Sequence, residues 1–492
     1  MPRRPDATFL AERGSVWRFL GAQSCSSIGA IALTTVLGIQ VFALTRSEFA
    51  LGLLGLVEFL PSLLLVLLTG TLADRIDRRR MASVALVVET AAAAGLAWYA
   101  TTDPTSATPI FFLVLLFGTA RAFAAPAVRS MPADLVPHGN LPWLTVRYSG
   151  TWQLSAIVGP VLGGFLYAAN PALPFVAVAV LFGTAAFGIM TVRYARHVRE
   201  RVAVTAIAEP LDAIEPAELE GLEIAAASGA PGAPDAPGTR PNRLKEALEG
   251  FRFIRREPVL LGAISLDLMA VLFGGALALL PAIADERLGV DAVGLGWLRA
   301  ATGIGAALMT ITLAFRPLGR RIGVVLLAAV AVFGLGTVVL GATTNFTVAF
   351  VALAVLSAAD AISVFVRATL VPLLTPDEMR GRVLAMEMVF IGASNELGAF
   401  ESGVTGQIFG PALAVVIGGV ASVATAVAWW FGFPALRRTD RFPRMALRPT
   451  PATGPAGGPA AGPDPPVPTA GAPPPTAAPP LGTGVSGASD EV

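Results

Sequence analysis

The segment GTLADRIDRRR, Gly70 to Arg80, joins two apolar runs and places four arginines within six residues. An arginine cluster beside an apolar stretch marks a loop held on the cytoplasmic side of a bilayer. Gly70 and Asp74 add to that simple anchor: the glycine permits close helix approach, and the aspartate can face the positive amino end of another helix. Long apolar sequence lies on either side of the loop.

Of the 492 residues, 54% are hydrophobic and 14% charged, whereas soluble domains carry roughly a quarter charged residues. A single soluble core cannot hide such a chain. About twelve runs reach the length of roughly 20 residues that crosses a bilayer. The first six spans are placed at 19–44, 50–72, 82–100, 110–131, 144–168 and 172–193. The second six follow at 258–281, 294–314, 321–342, 346–371, 382–408 and 411–433. Helices are required because backbone groups in lipid must bond within their own segment, and the alternation of barrel strands is absent. The run from Phe19 to Leu44 is longer than a signal-peptide core and leads straight into another span, so no cleavage is expected.

Further arginines repeat the pattern of the opening loop: Arg193, Arg196, Arg199 and Arg201, then Arg316, Arg320 and Arg321, then Arg380 and Arg382. The alternate loops TTDPTSATP, AANPAL and GATTNF carry none, and only Arg46 and Arg287 lie on that side. Both termini are therefore expected in the cytoplasm. A net charge of +1 gives no field for nucleic acid. The single Cys25 excludes an intrachain disulfide, and the two histidines, His138 and His197, leave no metal site to expect. No cofactor is expected either.

Five regions result: a cytoplasmic N-terminus at 1–18, a six-helix half at 19–193, a linker at 194–257, a second six-helix half at 258–433, and a Pro/Ala-rich disordered tail at 434–492. VRSMPADLVP from Val128 and VRATLVPLLTP from Val366 follow corresponding spans, as duplicated halves would. The linker holds acidic residues from Glu209 to Glu223 and then ASGAPGAPDAPGTRPN, a composition that builds no core. Its end, RLKEALEGFRFIRREP, spaces Leu244, Leu248, Phe251 and Ile254 as one apolar helix face, which predicts a helix lying on the membrane surface.

Gly70, Leu72, Asp74, Arg75, Arg78 and Arg79 match the loop signature of the major facilitator superfamily nearly position for position, with Asp77 standing where glycine is common. SAIVGPVLGG in span five resembles the antiporter motif of that superfamily through Gly159, Pro160, Gly163 and Gly164, with Ser155 in place of an upstream glycine. Proline there bends the helix and the glycines admit a close neighbour, which is also what plain small-residue packing would do. The segments FGTARAFAAPAVRSMPADLVP from Phe117, LDLMAVLFGGALALLP from Leu266, GWLRAATGIGAAL from Gly296 and TPDEMRGRVLAMEMVFIGASNELGAFESG from Thr375 resemble the siderophore-exporter and drug-efflux branch. The resemblance covers roughly residues 15–440. It implies an all-α integral membrane fold of twelve transmembrane helices in two pseudo-symmetric halves. It further implies a gating loop in which Asp74 faces the eleventh helix near Arg380 and Arg382; Arg78 needs an acidic partner, for which Asp134 at the end of span four is the candidate.

Charge inside a bilayer is costly and is kept where it faces a cavity or a partner. Asp267, Glu58 and Glu89 lie within spans seven, two and three and are the proton-site candidates. Arg121 and Arg299 are candidate partners or contacts to an anionic substrate. Asp360, Glu387, Glu396 and Glu401 rank lower, being placed nearer span ends. A buried structural network is the competing reading for each. Span one carries no carboxylate, although many drug/proton antiporters of the superfamily have one there.

The expected activity is export of a siderophore, drug or metabolite by alternating access, with protons as the coupling ion, across the bacterial inner membrane by a monomer. Nutrient uptake, or a membrane binding protein without transport, are the alternatives. No P-loop is present and the only lysine is Lys245, so enzymatic activity is not expected. Reporter fusions test the topology: tags at both ends are expected to report the cytoplasm, and tags on opposite faces would refute the two-half arrangement.

Overall fold

Lipid offers the backbone no hydrogen-bond partners, and the apolar runs answer that constraint as helices. The computed structural model describes residues 7–136, 140–192 and 243–442. The first set of helices is α1 (Ala7–Thr45), α2 (Glu48–Arg75), α3 (Arg78–Ala100), α4 (Thr108–Leu135), α5 (Leu141–Ala169) and α6 (Leu173–Met190). Then come α7 (Arg243–Arg256), α8 (Pro258–Phe273), α9 (Ala292–Phe315), α10 (Ile322–Ala342), α11 (Phe346–Leu374), α12 (Asp377–Phe409) and α13 (Pro411–Gly432). Among the described residues, eleven helices are long and apolar enough to cross a bilayer, all of those named except α7 and α8.

The span expected over 258–281 is interrupted. α8 stops at Phe273, the chain turns through Gly274 to Leu279, and helix resumes over Leu280–Ala282 before widening into a π-turn over Ile283–Arg287. Each of two adjacent glycines costs a helix about 1 kcal/mol relative to alanine. Packing also favours the break, because any side chain on Gly275 would overlap the carbonyl of Gly398 in α12.

The first six helices pack among themselves, with α1 on α5 and α6, α3 on α4 and α6, and α2 on α4. The later ones do likewise, with α9 on α11, α10 on α11 and α13, and α8 on α12 and α13. Two large crossings join the sets, α5 with α9 and α2 with α12, and α1 adds smaller contacts with Leu280–Ala282 and α9. Both are close where glycine lines them. A methyl on Gly296 would stand 2.6 Å from the carbonyl oxygen of Pro160, and one on Gly52 would stand 2.9 Å from the Cα of Gly403. These points lie toward the helix ends that carry the arginine-poor loops. There Arg46 pairs with Asp285, the Ser47 hydroxyl donates to Gln407 Oε1 at 2.7 Å, and Phe49 meets Phe400 edge-on at 5.9 Å.

Two boundaries differ from expectation, the start of α1 and that of the tail assigned from 434, where Pro434–Arg437 forms a helical turn with Leu436 buried. α1 begins at Ala7, inside the stretch assigned to the N-terminus, and Val16 and Phe19 on its early turns are wholly buried. The linker helix α7 packs one face on protein. Its Ile254 is buried among Leu260, Ile264, Val371 and Val383, Phe251 meets Phe390 at 6.3 Å, and Arg382 donates to Glu249 Oε2 at 2.6 Å. An apolar helix face is satisfied equally by lipid or by protein, and sequence periodicity does not separate the two. The acidic part of the linker, the tail beyond 442, His138 and His197 lie outside the described residues.

Gly305 of α9 faces α11, and a methyl there would overlap the Ala354 carbonyl. Gly305→Ala is expected to destabilise the detergent-purified protein by about 1–3 kcal/mol, as overpacking does. Gly21, which has no atom within 4 Å of an added methyl, supplies the neutral control. Equal melting temperatures for the two variants would refute the packing.

Candidate functional site

α2, α3 and α4 each carry one charged side chain into the first half, and α9 and α12 bring two more from the second. Arg121 of α4 lies 3.7 Å from Glu89 Oε2 of α3 and its guanidinium stands 5.8 Å from the centre of the Phe117 ring. Glu89 is 0% exposed, and neither of its oxygens has a hydrogen-bond partner. Glu58 of α2 is half-buried, within electrostatic reach of both Arg121 and Arg299. Arg299 belongs to α9, so the attraction runs from one half to the other, and its Nε is buried without a partner. Glu396 of α12 points toward α2, its Oε2 standing 3.0 Å from where a methyl on Gly55 would sit. The Gln153 side-chain amide of α5 completes the centre by donating to the Gly303 carbonyl of α9 at 2.7 Å.

Asp267 belongs to a different network. Arg367 of α11 donates to its Oδ1 at 2.8 Å and also faces Glu387 Oε1 at 3.6 Å, while Ser363 stands 3.5 Å from the same aspartate oxygen. Asp267, Arg367 and Glu387 are all buried, and Asp360 is within electrostatic reach of the first two. Thus the five proton or substrate candidates divide: Glu58, Glu89, Arg121 and Arg299 come together, and Asp267 does not join them. Sequence reasoning missed Arg367 as a partner and ranked Glu396 low. Spacing held a signal for each. Asp360, Ser363 and Arg367 fall on one helical face of an otherwise apolar span, and Gly392, Glu396 and Gly403 share a face of α12.

At the arginine-rich end, Arg78 Nη1 donates to Asp134 Oδ2 at 2.7 Å, tying the start of α3 to the end of α4. Asp77, in the position where glycine was expected, caps α3 by accepting from the Arg79 amide at 2.9 Å and pairs with the Arg79 guanidinium at 2.9 Å. Arg79 also donates to the Val192 carbonyl at 2.9 Å, just beyond α6. Gly70, Asp74 and Arg75 fall in the last two turns of α2, and their side chains lie outside the described residues. Within α5, Gly159, Pro160, Gly163 and Gly164 are all buried. Gly159 and Gly163 face α1 at Ala32, whereas Gly164 faces α9 at Ala292 and Gly296.

Two helical sets closing over a polar centre is the construction of secondary transporters. The chain belongs to the Major Facilitator Superfamily, whose profile matches residues 19–324. A second profile, that of the transmembrane secretion effectors, matches residues 236–453. The chain is 25% identical to the enterobactin exporter EntS of Shigella flexneri, over 86% of each sequence, and 25% identical over the same shares to EntS of Escherichia coli O9:H4. Among solved structures it superposes on a POT family transporter bound to 5-aminolevulinic acid with a TM-score of 0.63 at 9% identity, covering 86% of this chain and 96% of that one. A D-xylose-proton symporter gives 0.60 at 16% identity, covering 87% and 99%. The protein is therefore a multi-pass membrane transporter, and these likenesses point away from an enzyme.

Arg367 balances Asp267 in a buried setting, and its removal leaves that carboxylate uncompensated. Arg367→Leu is expected to cost about 3–5 kcal/mol, as breaking a buried pair does, and Arg367→Leu with Asp267→Asn is expected to recover much of it. Thermal unfolding in detergent reads both, and equal loss in the single and double variants would show that the pair is not what holds α8 to α11.

Proposed function

We propose that this transporter exports a small organic molecule, a siderophore, drug or other metabolite, in exchange for protons by alternating access. The observation that carries the reading is the charge cluster Glu58, Arg121, Arg299 and Glu396, which spans both halves beneath the closed arginine-poor end. Charges placed between moving bodies are re-solvated and re-paired at every transition, so their protonation can bias which end opens. By the arginine distribution, the arginine-rich loops and both termini face the cytoplasm of the bacterial inner membrane, and the closed end faces outward. The motif in α5 and the likeness to enterobactin exporters favour the outward direction.

In this scheme Glu58 and Arg299 contact the substrate or the coupling proton. Glu89 and Arg121 set the charge balance beside them, and the pair Arg78 with Asp134 belongs to the cytoplasmic gate. Asp267, held by Arg367, is the second candidate for proton exchange.

Everted membrane vesicles test the proposal with two probes, a catecholate siderophore and ethidium. At least one is expected to accumulate while the vesicle interior is acidic, and to leak out on adding an uncoupler. Glu58→Gln and Arg299→Ala are expected to reduce accumulation to the level of vesicles lacking the protein. Accumulation that ignores the uncoupler would rule out proton exchange, and uptake in right-side-out vesicles instead would reverse the direction.

A further inference from the structure

The α2–α12 crossing contains three acidic residues, Glu48 packed on Gly406 at its arginine-poor end and Glu58 and Glu396 deeper, where one set of helices meets the other. Glu58 lies three residues after Gly55, on the same face of α2, and the Glu396 carboxylate comes up against Gly55 from α12. Each is within electrostatic reach of the other. Farther toward the arginine-poor end the same crossing narrows to backbone on backbone, with Gly52 against Gly403. Where Gly52 meets Gly403 the seam is backbone on backbone, so widening it at that point moves the two helices themselves.

The other charged groups on the surrounding elements do not cancel this repulsion. Glu58 feels Arg121 of α4 and Arg299 of α9, but Arg121 is shared with Glu89 of α3. Glu396 has Glu58 as its charged neighbour among the described residues. On α8 and α11, Asp267, Asp360 and Arg367 form their own network, which also takes in Glu387 of α12. Glu401 of α12 interacts with Ser402 and Thr405 of its own helix, while Glu48 at the start of α2 packs on Gly406 of α12 within electrostatic reach of Glu286, which also feels Asp285 and Arg46. The charges of α1 (Glu12, Arg13, Arg18) fall in its first twelve residues, those of α7 run along the whole helix, which packs by Arg382 at the arginine-rich end, and α13 has none.

We infer that Glu58 and Glu396 form a proton-operated latch on the α2–α12 seam. With a proton on the pair the seam closes as seen here. When both are ionised, like charges in close quarters push α2 and α12 apart and open the arginine-poor end. The inference rests on the alternating-access reading above and gives it a direction: protons arriving from that end close it, and their departure reopens it.

Spin labels at Thr105→Cys and Thr344→Cys, in a Cys25→Ala background, report the opening, because both positions are exposed on arginine-poor loops, one in each half. In full-length protein the label separation is expected to shift from a long to a short population as pH falls from about 8 to about 5. Glu396→Gln and, independently, Glu58→Gln are expected to hold the short population at every pH, while Glu401→Gln keeps the shift. A shift that persists in both glutamine variants at positions 58 and 396, or is missing from the parent, overturns the latch. This readout needs no substrate. A parent that shows the shift yet fails the vesicle assay would therefore count against proton-driven export and leave the latch standing.

Discussion

Backbone pressed on backbone is the contact on which the rest of this transporter depends. In lipid the hydrophobic effect gives helices no reason to prefer each other over acyl chains, so association rests on close packing. Glycine makes that possible at Gly52 with Gly403, at Gly296 with Pro160, and at Gly275 with Gly398. These three places bring the two sets of helices together at one end and fix the broken span against α12. The charged centre lies beneath them, and the proposed latch would couple the state of its charges to closure of the seams.

The two charged networks differ in what surrounds them. Arg367 sits within one half, gripped by Asp267 and Glu387 and shielded from solvent, and so behaves as an internal brace. The central group draws on α2, α3, α4, α9 and α12, and among the described residues it retains three unsatisfied atoms, both oxygens of Glu89 and the Nε of Arg299, against the Nε of Arg367 alone in the brace. Unpaired buried polar groups are expensive unless something else meets them for part of the time. Under the proposed exchange mechanism, a transported molecule or a proton would supply such a partner.

Much of this architecture was legible from the residues alone. Span positions follow from uninterrupted apolar length, and eleven of the helices match that reading to within a few residues at most ends. The interruption after Phe273 was not legible, because LFGGALALLP is apolar throughout and hydropathy is blind to a glycine pair whose effect depends on the neighbour it meets. Resemblance to the superfamily loop picked out Arg78 and Asp134, which are in contact. The partition of the intramembrane charges was hidden, since Asp267 and Arg367 are a hundred residues apart and only the packing of α8 on its neighbours joins them. Glu396 looked peripheral when judged by distance from a span end, yet its helix crosses α2 at that height.

α12 consequently acts as a party wall. One side of it is built against α2 and the other against the interrupted span, with glycine at the contact on each side, so neither neighbour yields room for a larger residue. Among its exposed side chains are Met388, Leu397 and Ile408, away from these glycine contacts. A protein of this kind can drift in its lipid-facing side chains and change its cargo contacts elsewhere, while this one helix stays nearly fixed in outline.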